Sequence, residues 1–455
     1  MGADAEAYLP HRMEEGYGLN QDSLGRLLSR GRFLLVTVDN GITGFGPIQF
    51  LKEKGVDTII VDHHTPKDKM PPAFAIVSAA TGEGGDANLA ACGLAFKLGW
   101  ALVERFDEVK DYLDLVTVGT VADLAPVLGD NRILLRHGLV ALAKTQRTGL
   151  RALMDSAKIA KEGVSYRDIA FGIGPRINAA GRMGSPENAY KLLTTSDKEE
   201  ARRLAALLEE GNRDRQRAES DAFQEAAEHV ERTGPAEDDR ILVVNSPGWH
   251  EGVLGIVAAR LVERYQRPSI VISMKESGVG KGSGRSVSLF SLFDCVLACE
   301  DLLENFGGHA QACGLTIKEE NISPFRRRLN AVAAGMSGTF QGAEEAVEAE
   351  LPLSAIDVKF LNDLEKLSPF GPGNKKPLFL SRGVRLKSAP KKRGRDTLQC
   401  WVSDETGKTT CEAVGFRAFG RWNADPRRTL DIIHQPTLKN FRGITSIQLE
   451  LEDWL

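Results

Sequence analysis

The sequence predicts an α/β protein with three parts: a domain built on a parallel sheet, a second α/β domain and a small C-terminal β-barrel. Short apolar runs alternate with helical stretches in the first third of the chain, and a long charged helical stretch precedes a second alternation of this kind. Beyond about residue 366 only short strand-like segments with turn signals follow. The length of 455 residues, at about 100 to 200 residues per domain, also indicates several domains.

The composition is that of an ordinary folded protein, with 42% apolar and 26% charged residues. No run of about 18 uncharged apolar residues occurs, and the start MGADAEAYLPHR lacks the regions of a signal peptide, so we expect a cytoplasmic protein without membrane association. The six cysteines form no C-x-x-C pair, which favours buried reduced thiols over a structural zinc site. A net charge of −4 means that any site for a polyanion must be local.

Two predicted strands in the first third end on polar side chains. GRFLLVTVDNG closes on Asp39, and VDTIIVDHH closes on Asp62, His63 and His64, with a helix predicted over 44–54 between them. Parallel strands joined by a crossover helix bring their carboxyl ends to one crevice, where ligands bind. We therefore expect these side chains to lie close together.

These residue types could hold a divalent cation. A mixed shell of imidazole and carboxylate suits Mn²⁺ or Mg²⁺ acting on phosphate. The segment DYLDLVTVGTVADLAPV is predicted to be a buried helix that delivers another carboxylate, Asp123, shortly before Pro126. The alternative is that His63 and His64 only cap a strand or bond to backbone carbonyls, and a three-letter motif alone favours that alternative.

The remaining elements follow in order. A long charged helix is predicted from Thr195 to about Arg232, with a capping box of Ser196 and Glu199 and a thin apolar stripe typical of a connector. The second α/β unit comprises strand ILVVNS, a helix over 253–265, strand SIVISM, the glycine-rich piece GVGKGSGRS, helix SLFSLFDCVLACEDLLENF, the tetrapeptide GGHA and strand GLTI.

Several motifs in one order resemble a known family. VDNG, VDHH and GTVADLAP are similar to motifs of the DHH phosphoesterase superfamily, and FGIGPRINAAGRM, GWHEGVLGIVAARL, GSGRS, ENFGGHAQACGLTI and PFGPGNKKPLF resemble its RecJ branch. The resemblance implies a DHH catalytic domain over 1–194, a connector helix over 195–235, a DHH-associated substrate-binding domain over 236–338 and an OB-type barrel over 345–455. It also implies 5′ to 3′ hydrolysis of single-stranded DNA in DNA repair and recombination, with a helicase and a single-strand-binding protein as partners. We expect a monomer.

The resemblance also implies roles for individual residues. Two ions, Mn²⁺ or Mg²⁺, would be held by Asp39, His63, His64 and Asp123 for two-metal hydrolysis, with Asp62 orienting the triplet. The implied catalytic residues are Asp39, Asp62, His63, His64, Asp123 and His309. The implied substrate-binding residues are Arg176, Asn178, Arg182, Ser283, Arg285, Gly307, Gly308 and His309.

Each substrate-binding motif has a plainer interpretation. Ser283 and Arg285 suit a terminal 5′ phosphate, because a guanidinium forks onto two phosphate oxygens and a hydroxyl adds a third bond, but GVGKGSGRS could equally be a flexible turn. Arg176, Asn178 and Arg182 are predicted on one short loop, where they could be ordinary surface residues. The glycines before the implied phosphate-contacting histidine could simply end the preceding helix.

The predicted barrel contains a local basic run that could track a nucleic-acid backbone. Its members share one sign of charge, which a solvated loop does not explain: Arg385, Lys387, Lys391, Lys392, Arg393 and Arg395. Aromatic residues interleave with this run, as in single-strand channels where bases stack on rings, although most of them are expected in the barrel core: Phe370, Phe379, Trp401, Phe416, Phe419 and Trp422.

The sequence departs from the family in one respect. The first motif, an Asp-x-Asp pair, is missing, because no Asp-x-Asp spacing occurs in the 455 residues. We therefore expect an exposed apolar edge on the first sheet and little nuclease activity. Three explanations of the missing motif remain open: the sequence is truncated, the missing half-site comes from another polypeptide, or the protein is a non-catalytic relative that binds single-stranded DNA. A further alternative, a DHH hydrolase of short oligonucleotides, is disfavoured by the predicted barrel.

Overall fold

The protein is described by a computed structural model over residues 2–11, 15, 18–31, 33–81, 86–160, 163–233, 239–336, 346–394, 396–425, 427–441 and 444–455. The chain forms two compact units. Unit 1 comprises Met1–Arg30, Thr145–Lys161 and Ala170–Glu344, and unit 2 comprises Gly31–Lys144, Glu162–Ile169 and Glu345–Leu455. Among the described residues, no helix combines the length and the apolar character needed to cross a bilayer.

The helices and strands have the following bounds. The helices are α1 (Gln21–Leu28), α2 (Phe45–Glu53), α3 (Ala91–Val103), α4 (Phe106–Val109), α5 (Leu113–Ala122), α6 (Gly129–Ala143), α7 (Thr148–Ser156), α8 (Tyr166–Asp168), α9 (Gly174–Met183), α10 (Glu187–Thr194), α11 (Lys198–Thr233), α12 (Leu254–Tyr265), α13 (Leu292–Leu297), α14 (Glu319–Gly335) and α15 (Val358–Glu365). The strands are β1 (Leu35–Val38), β2 (Thr58–Asp62), β3 (Ala75–Ser78), β4 (Leu242–Pro247), β5 (Ser269–Met274), β6 (Val279–Arg285), β7 (Asn305–His309), β8 (Ala312–Lys318), β9 (Ala349–Glu350), β10 (Phe379–Leu386), β11 (Lys391–Arg393), β12 (Thr397–Ser403), β13 (Thr410–Gly415), β14 (Thr429–Phe441) and β15 (Ile444–Trp454).

The first sheet, in unit 2, has three parallel strands in the order β1-β2-β3, which confirms the predicted parallel sheet. The crossover helix α2 buries Ile48 and Leu51, and α3 packs Leu94 against Val61 of the central strand. Because both connections return to the same end, the carboxyl ends of β1 and β2 lie side by side. Within the described sheet β1 is an edge strand, and its Val36 side chain is exposed, in agreement with the expected apolar edge.

The long helix α11, in unit 1, begins three residues later than predicted. Its N-terminal cap is Asp197, whose carboxylate accepts a hydrogen bond from the backbone N–H of Glu200. The predicted capping box of Ser196 and Glu199 is therefore wrong. Thr195 reinforces this start, since its hydroxyl accepts from the Asp197 N–H and donates to the Glu200 carboxylate.

The second sheet, also in unit 1, has five strands in the order β4-β5-β6-β8-β7, with β4 and β5 parallel and the other pairs antiparallel. The glycine-rich piece is strand β6, so its interpretation as a flexible turn is wrong. A Cβ on Gly280, Gly282 or Gly284 would lie within 2.7 Å of a side-chain atom of β5 or β8. Glycine at every second position thus lets the large core residues of the neighbouring strands cover this face.

The helix predicted over SLFSLFDCVLACEDLLENF is much shorter in the structure. Ser291 caps α13, which ends at Leu297, and a 3₁₀ turn Glu300–Leu302 follows. The last part of the segment forms β7, because its backbone pairs with β8. Strand pairing therefore overrides the helical periodicity, and the glycines that follow do not end a helix.

The C-terminal strands, in unit 2, form one sheet in the order β11-β12-β13-β15-β14-β10-β9. Strand β10 also pairs with β12 over two residues, Arg385↔Ser403 and Leu386↔Val402. This pairing joins the first and last strands of the series β12-β13-β15-β14-β10. Full closure of the predicted barrel stays a prediction. Within the same unit, the Val127 N–H donates to the Pro372 carbonyl at 2.6 Å, so the PFGPGN segment before the barrel is attached to the parallel-sheet part.

Candidate functional site

The turn after β1 holds an aspartate in a strained backbone. Asp39 has φ of 65°, and its N–H donates to the Val61 carbonyl at 2.9 Å. The Thr37 hydroxyl closes the turn by donating to the Asn40 carbonyl at 2.8 Å. Gly41 has φ of 110°, and a Cβ there would lie 2.7 Å from the Thr37 hydroxyl oxygen. A non-glycine residue in the left-handed region at a strand end is a feature of functional sites.

Asp62, the last residue of β2, is a buried carboxylate with three hydrogen bonds. It accepts from the Ile42 N–H at 3.0 Å, from the His64 N–H at 3.2 Å and from the His64 Nδ1 at 2.7 Å. Burial acts to raise the pKa of Asp62, but these hydrogen bonds outweigh it and the pKa is lowered. The hydrogen bond that the His64 ring donates to Asp62 also raises the pKa of His64. Asp62 thus engages Nδ1 of His64 and leaves Nε2 of the ring for another ligand.

Four predicted metal ligands meet at this end of the sheet. Nε2 of His63 lies 3.2 Å from an oxygen of Asp39 and 3.6 Å from an oxygen of Asp123. Asp39, His63 and His64 each offer one ligand atom, and these atoms lie within 4.8 Å of one another. Asp123, which caps the C-terminus of α5, joins this group through its approach to His63.

The electrostatics of the cluster favour a cation. Nε2 of His63 is buried and makes no hydrogen bond of good geometry within the described part of the chain. The nearby Asp39 carboxylate raises the pKa of His63, and burial raises the pKa of Asp123. The imidazole nitrogen of His63 and the two carboxylates beside it are ligand atoms that suit a divalent metal ion.

A second site lies on one face of the five-stranded sheet. Alternate residues of β6 point to this face, and the register places Ser283 opposite Gly314 of β8, which in turn pairs with Gly307 of β7. A Cβ on Gly307 would meet nothing within 4 Å, and one on Gly314 would meet only a backbone oxygen at 4.0 Å. Gly314 and Gly307, which carry no side chains, form the floor of a groove of about 580 Å³, which we call the sheet groove.

Polar side chains of β6 and α9 line the sheet groove. Nη1 of Arg285 donates to the Ser283 hydroxyl at 3.2 Å. A Cβ on Gly255, in the first turn of α12, would lie 2.8 Å from Arg285, so glycine permits this close approach. Arg182 from α9 reaches the same groove and donates to the Gly252 carbonyl at 3.2 Å. Two guanidiniums and a hydroxyl on an open floor can bind a phosphate group.

Two further groove residues were missed by sequence reasoning. Lys281 lies two residues before Ser283 on the same face of β6, and Glu251 accepts from Lys275 at 2.8 Å and lies 3.4 Å from Lys281. Burial acts to raise the pKa of Glu251, but the lysines outweigh it and lower the pKa. In the sequence, Lys281 could have been found from its alternation with Ser283 and Arg285. This alternation indicates a shared face only when the segment is taken as a strand.

The PRINAAGR residues lie on helix α9, so the predicted short loop is wrong. The Arg176 guanidinium forms an ion pair with Glu209 at 2.6 Å and donates to the Gly172 carbonyl at 2.6 Å, and it does not line the sheet groove. Asn178 is exposed on α9 and lies outside the groove lining, unlike Arg182. The ion pair between Arg176 and Glu209 joins α9 to α11, so Arg176 has a structural role in the packing of these two helices.

Gly308 and His309 follow the groove floor along β7. Gly308 has φ of 145°, and a Cβ there would lie 2.2 Å from the Ala312 carbonyl oxygen. His309 pairs with Ala312, which pairs with Arg285, so the histidine stands at the Arg285 end of the sheet groove. Its side chain is exposed, and its Nδ1 accepts a long bond, 3.4 Å, from the Gln311 N–H.

The basic run of the C-terminal sheet spans the end of β10 and strand β11. Lys391 and Lys392 are exposed, and Arg393 donates to Gln399 at 2.7 Å. Arg395 lies outside the described residues. Of the aromatics named above, Trp401 and Phe416 are about half exposed, and the others that pack in or against the core of this sheet are Phe379, Phe419 and Trp422.

Comparison with known proteins gives three family matches. Residues 1–120 match the N-terminal domain of the DHH family, residues 238–335 match the DHHA1 domain, and residues 347–453 match the RecJ OB domain. These matches confirm the predicted kinds of domain. The exact boundaries of the predicted domains stay a prediction. They differ from the boundaries of the two compact units.

Individual relatives agree with the family matches. The chain is 36% identical over 462 residues to the single-stranded-DNA-specific exonuclease RecJ of Bacillus subtilis, covering 100% of this chain and 58% of that protein. It is 31% identical to the exonuclease of the same name from Haemophilus influenzae, covering 98% and 82%. A crystal structure of RecJ from Thermus thermophilus in complex with Mn²⁺ superposes with a TM-score of 0.83 at 30% identity, covering 96% of this chain and 63% of that one. The chain thus spans about three fifths of the Bacillus and Thermus proteins.

Proposed function

The chain belongs to the RecJ family of the DHH phosphoesterases, and on that premise we propose that it acts on single-stranded DNA as a metal-dependent 5′ to 3′ exonuclease in DNA repair and recombination. The observation that carries this proposal is the buried Nε2 of His63, which faces the carboxylates of Asp39 and Asp123 and makes no hydrogen bond of good geometry among the described residues. A cluster of this composition gathers cations, and cations act on phosphodiesters.

The residues of the cluster would hold Mn²⁺ or Mg²⁺ ions, two in the complete family site. Such ions, when bound, would neutralise phosphate oxygens and lower the pKa of a water molecule. Asp39, His63, His64 and Asp123 supply the ligand atoms. Asp62 acts through His64, because its carboxylate fixes the orientation of the ring.

The sheet groove would bind the DNA end. Arg285 and Arg182 offer guanidiniums, Ser283 offers a hydroxyl, and the row of Gly314 and Gly307 leaves room for a sugar-phosphate backbone. His309, at the Arg285 end, would contact a neighbouring phosphate. A terminal 5′ phosphate is the ligand that best fits two convergent cations and a hydroxyl.

The chain as given would hydrolyse DNA slowly. Its sequence contains no Asp-x-Asp pair, so two carboxylates of the family site are not among its 455 residues. Loss of supporting residues alone typically costs about 10- to 100-fold in metal affinity or activity, and loss of ligands should cost at least as much. The same observation favours a second candidate, a non-catalytic single-stranded-DNA-binding protein.

Two further parts of the proposal concern the cellular setting. All six cysteines are free thiols, as expected in a reducing compartment, and we place the chain in the cytoplasm. Delivery of single strands by a helicase and a single-strand-binding protein would suit the substrate, and a monomer would suffice for the chemistry.

The test measures binding and digestion together. The purified chain is incubated with a 5′-phosphorylated, 3′-fluorescent single strand and with or without Mn²⁺, and anisotropy and denaturing gels are read in parallel. We expect Mn²⁺-dependent release of nucleotides from the 5′ end at a low rate, abolished in the His63→Ala variant. The matched control is His137→Ala, which alters an exposed histidine of α6 and should digest as the wild-type chain does.

The outcomes separate the two candidates. Strand binding without any Mn²⁺-dependent product would favour the non-catalytic protein. Absence of both binding and digestion would refute the proposed function, and rapid digestion would refute the proposed impairment.

A further inference from the structure

Leu289 is exposed in a way that neither packing nor backbone preference explains. It lies in the loop between β6 and α13, its side chain is 102% exposed and its φ is 65°. The left-handed region favours glycine or asparagine, and a bulky apolar residue there is a conformational outlier. The position therefore combines backbone strain with a protruding apolar group.

The loop that carries this leucine is firmly held on both sides. The Ser286 N–H donates to the Gln311 carbonyl at 3.0 Å, and the Ser286 hydroxyl donates to the Phe290 carbonyl at 2.7 Å. The Leu292 N–H donates to the Ala310 carbonyl at 2.9 Å. Phe290 and Leu292 are buried in the core of the second sheet. The loop is thus anchored on both sides of Leu289, and the Leu289 side chain projects outward.

The anchors place the leucine at one end of the second sheet. The loop starts directly after Arg285, and its hydrogen-bond partners, Ala310 and Gln311, form the turn that joins β7 to β8 next to His309. Leu289 therefore stands at the end of the sheet where the cationic side chain of Arg285 and the histidine lie.

The chemistry around Leu289 indicates a nucleobase as its partner. A phosphate on Ser283 and Arg285 would bring its own nucleotide to this end of the sheet. The face of an unpaired base is flat and largely apolar, and side chains that unstack or separate bases are commonly apolar wedges such as leucine. A base that is still paired carries a complementary strand, which would meet the projecting loop.

From these observations we propose that Leu289 is a specificity-determining residue, which packs against the base of the nucleotide bound in the sheet groove and obstructs a paired complementary strand. The proposal rests on the proposed function, because it needs a nucleotide phosphate in that groove. It assigns to this loop the choice between single-stranded and double-stranded DNA ends.

The test uses a substitution that suits the backbone and removes the apolar group. Leu289→Asn places a residue that tolerates the left-handed region, so thermal unfolding of this variant should occur at the wild-type temperature or above. Its affinity for a 5′-phosphorylated, 3′-fluorescent single strand should fall about fivefold or more, the scale of a lost base contact. The preference for that strand over the same strand in a blunt duplex should shrink by a similar factor. Leu289→Met should keep most of the affinity for the single strand and most of the preference for it over the duplex.

The control and the contrary outcomes are distinct. Leu297→Asn alters another exposed leucine of the same unit and should leave affinity and preference unchanged. If the wild-type chain prefers single strands and Leu289→Asn binds both DNAs as the wild type does, this inference is wrong and the proposed function stands, with docking of a protein on Leu289 as the remaining explanation. If the wild-type chain binds neither DNA, the inference and the proposed function both fail.

Discussion

Asp62 is a buried acid whose three hydrogen-bond donors all come from the metal cluster and the turn beside it. Its side chain is 1% exposed, so its charge is stabilised by these donors rather than by water. The similarity of VDHH to a family motif implied an orienting acid at Asp62, and this carboxylate accepts a hydrogen bond from the His64 ring. The hydrogen bond to the Ile42 N–H was not predictable, since it joins residues 20 apart.

Replacement of Asp62 by asparagine should weaken both the fold and the metal site. The amide would present N–H groups to donors that need acceptors, which costs about 1 to 3 kcal/mol in the free energy of unfolding. Loss of the charge that orients His64 should reduce Mn²⁺ affinity about 10- to 100-fold. Urea unfolding and calorimetric Mn²⁺ titration measure the two effects, and Asp57→Asn, at an exposed position before β2, is the control. Unchanged Mn²⁺ affinity in Asp62→Asn would contradict the orienting role.

His434 makes the stability of the C-terminal sheet depend on pH. The ring is fully buried, its Nε2 bonds to the Ser381 hydroxyl at 2.9 Å, and its Nδ1 makes no hydrogen bond among the described residues. Burial lowers the pKa of His434 from 6.5 to about 4. Below pH 6.5 the unfolded chain binds a proton that the folded chain excludes, so stability present above that pH is lost as the pH falls towards 4.

The loss should approach about 3 kcal/mol in the free energy of unfolding at the acid end, from about 1.4 kcal/mol per pKa unit. His434→Leu removes the titrating group and should flatten the difference in unfolding free energy between neutral and acid pH. Urea unfolding followed by tryptophan fluorescence across this range measures the slope. His137→Leu, at an exposed histidine, should keep the wild-type slope. An equally steep slope in His434→Leu would show that other groups cause it.

At the scale of elements, strand β7 carries two adjacent glycines with opposite requirements. A Cβ on Gly307 meets nothing within 4 Å, whereas a Cβ on Gly308 meets the Ala312 carbonyl oxygen at 2.2 Å in a backbone with φ of 145°. One glycine therefore keeps the sheet groove open, and the other permits the close pairing of β7 and β8.

Alanine substitutions at these glycines form a matched pair. Gly308→Ala should lower the free energy of unfolding by about 2 kcal/mol or more, because it adds strain and a backbone clash. Gly307→Ala should leave stability nearly unchanged and should weaken binding of a 5′-phosphorylated single strand, because its methyl group rises into the groove. Thermal unfolding and anisotropy measure both variants. The reverse pattern would contradict the assignment of the two faces.

The elements that were predicted correctly have a strong pattern of one kind. Apolar runs that end on Asp39 and Asp62 gave the strands of the first sheet, and the parallel order followed from the crossover helix. The β6 segment was misread because its glycines lack the side chains that show periodicity. The β7 segment was misread because pairing with β8 overrides a helical pattern in the sequence. The strained loop at Leu289 has no sequence signal, since leucine is a poor choice for its backbone.

At the scale of the whole molecule, the order of domains along the sequence differs from their grouping in space. The chain leaves unit 2 after Lys144, returns for Glu162–Ile169 and again for Glu345–Leu455. Motifs could predict the kinds of domain, because each motif lies within a short segment. They could not predict that the parallel sheet and the C-terminal sheet belong to one unit, since that depends on contacts such as the Val127 to Pro372 hydrogen bond.

The salt dependence of DNA binding tests whether the basic run touches the strand. Each phosphate contact on a single strand contributes about 0.7 to the slope of log K against log salt. The double variant Lys391→Gln with Arg393→Gln should therefore lower the slope by about 1.4 if both residues bind phosphates. Lys366→Gln, whose ammonium pairs with Asp363 at 2.6 Å, should keep the wild-type slope. An unchanged slope in the double variant would show that these two residues bind no phosphate.

The most direct test of the metal centre is the location of bound Mn²⁺ by anomalous diffraction from crystals of this chain grown with Mn²⁺. We expect an anomalous peak within bonding distance of the Asp39 carboxylate and the His63 Nε2, and we expect this peak to be lost in crystals of His63→Ala. A clear Mn²⁺ peak elsewhere with none at these side chains, or the same peak in the variant, would show that these residues do not form the metal centre.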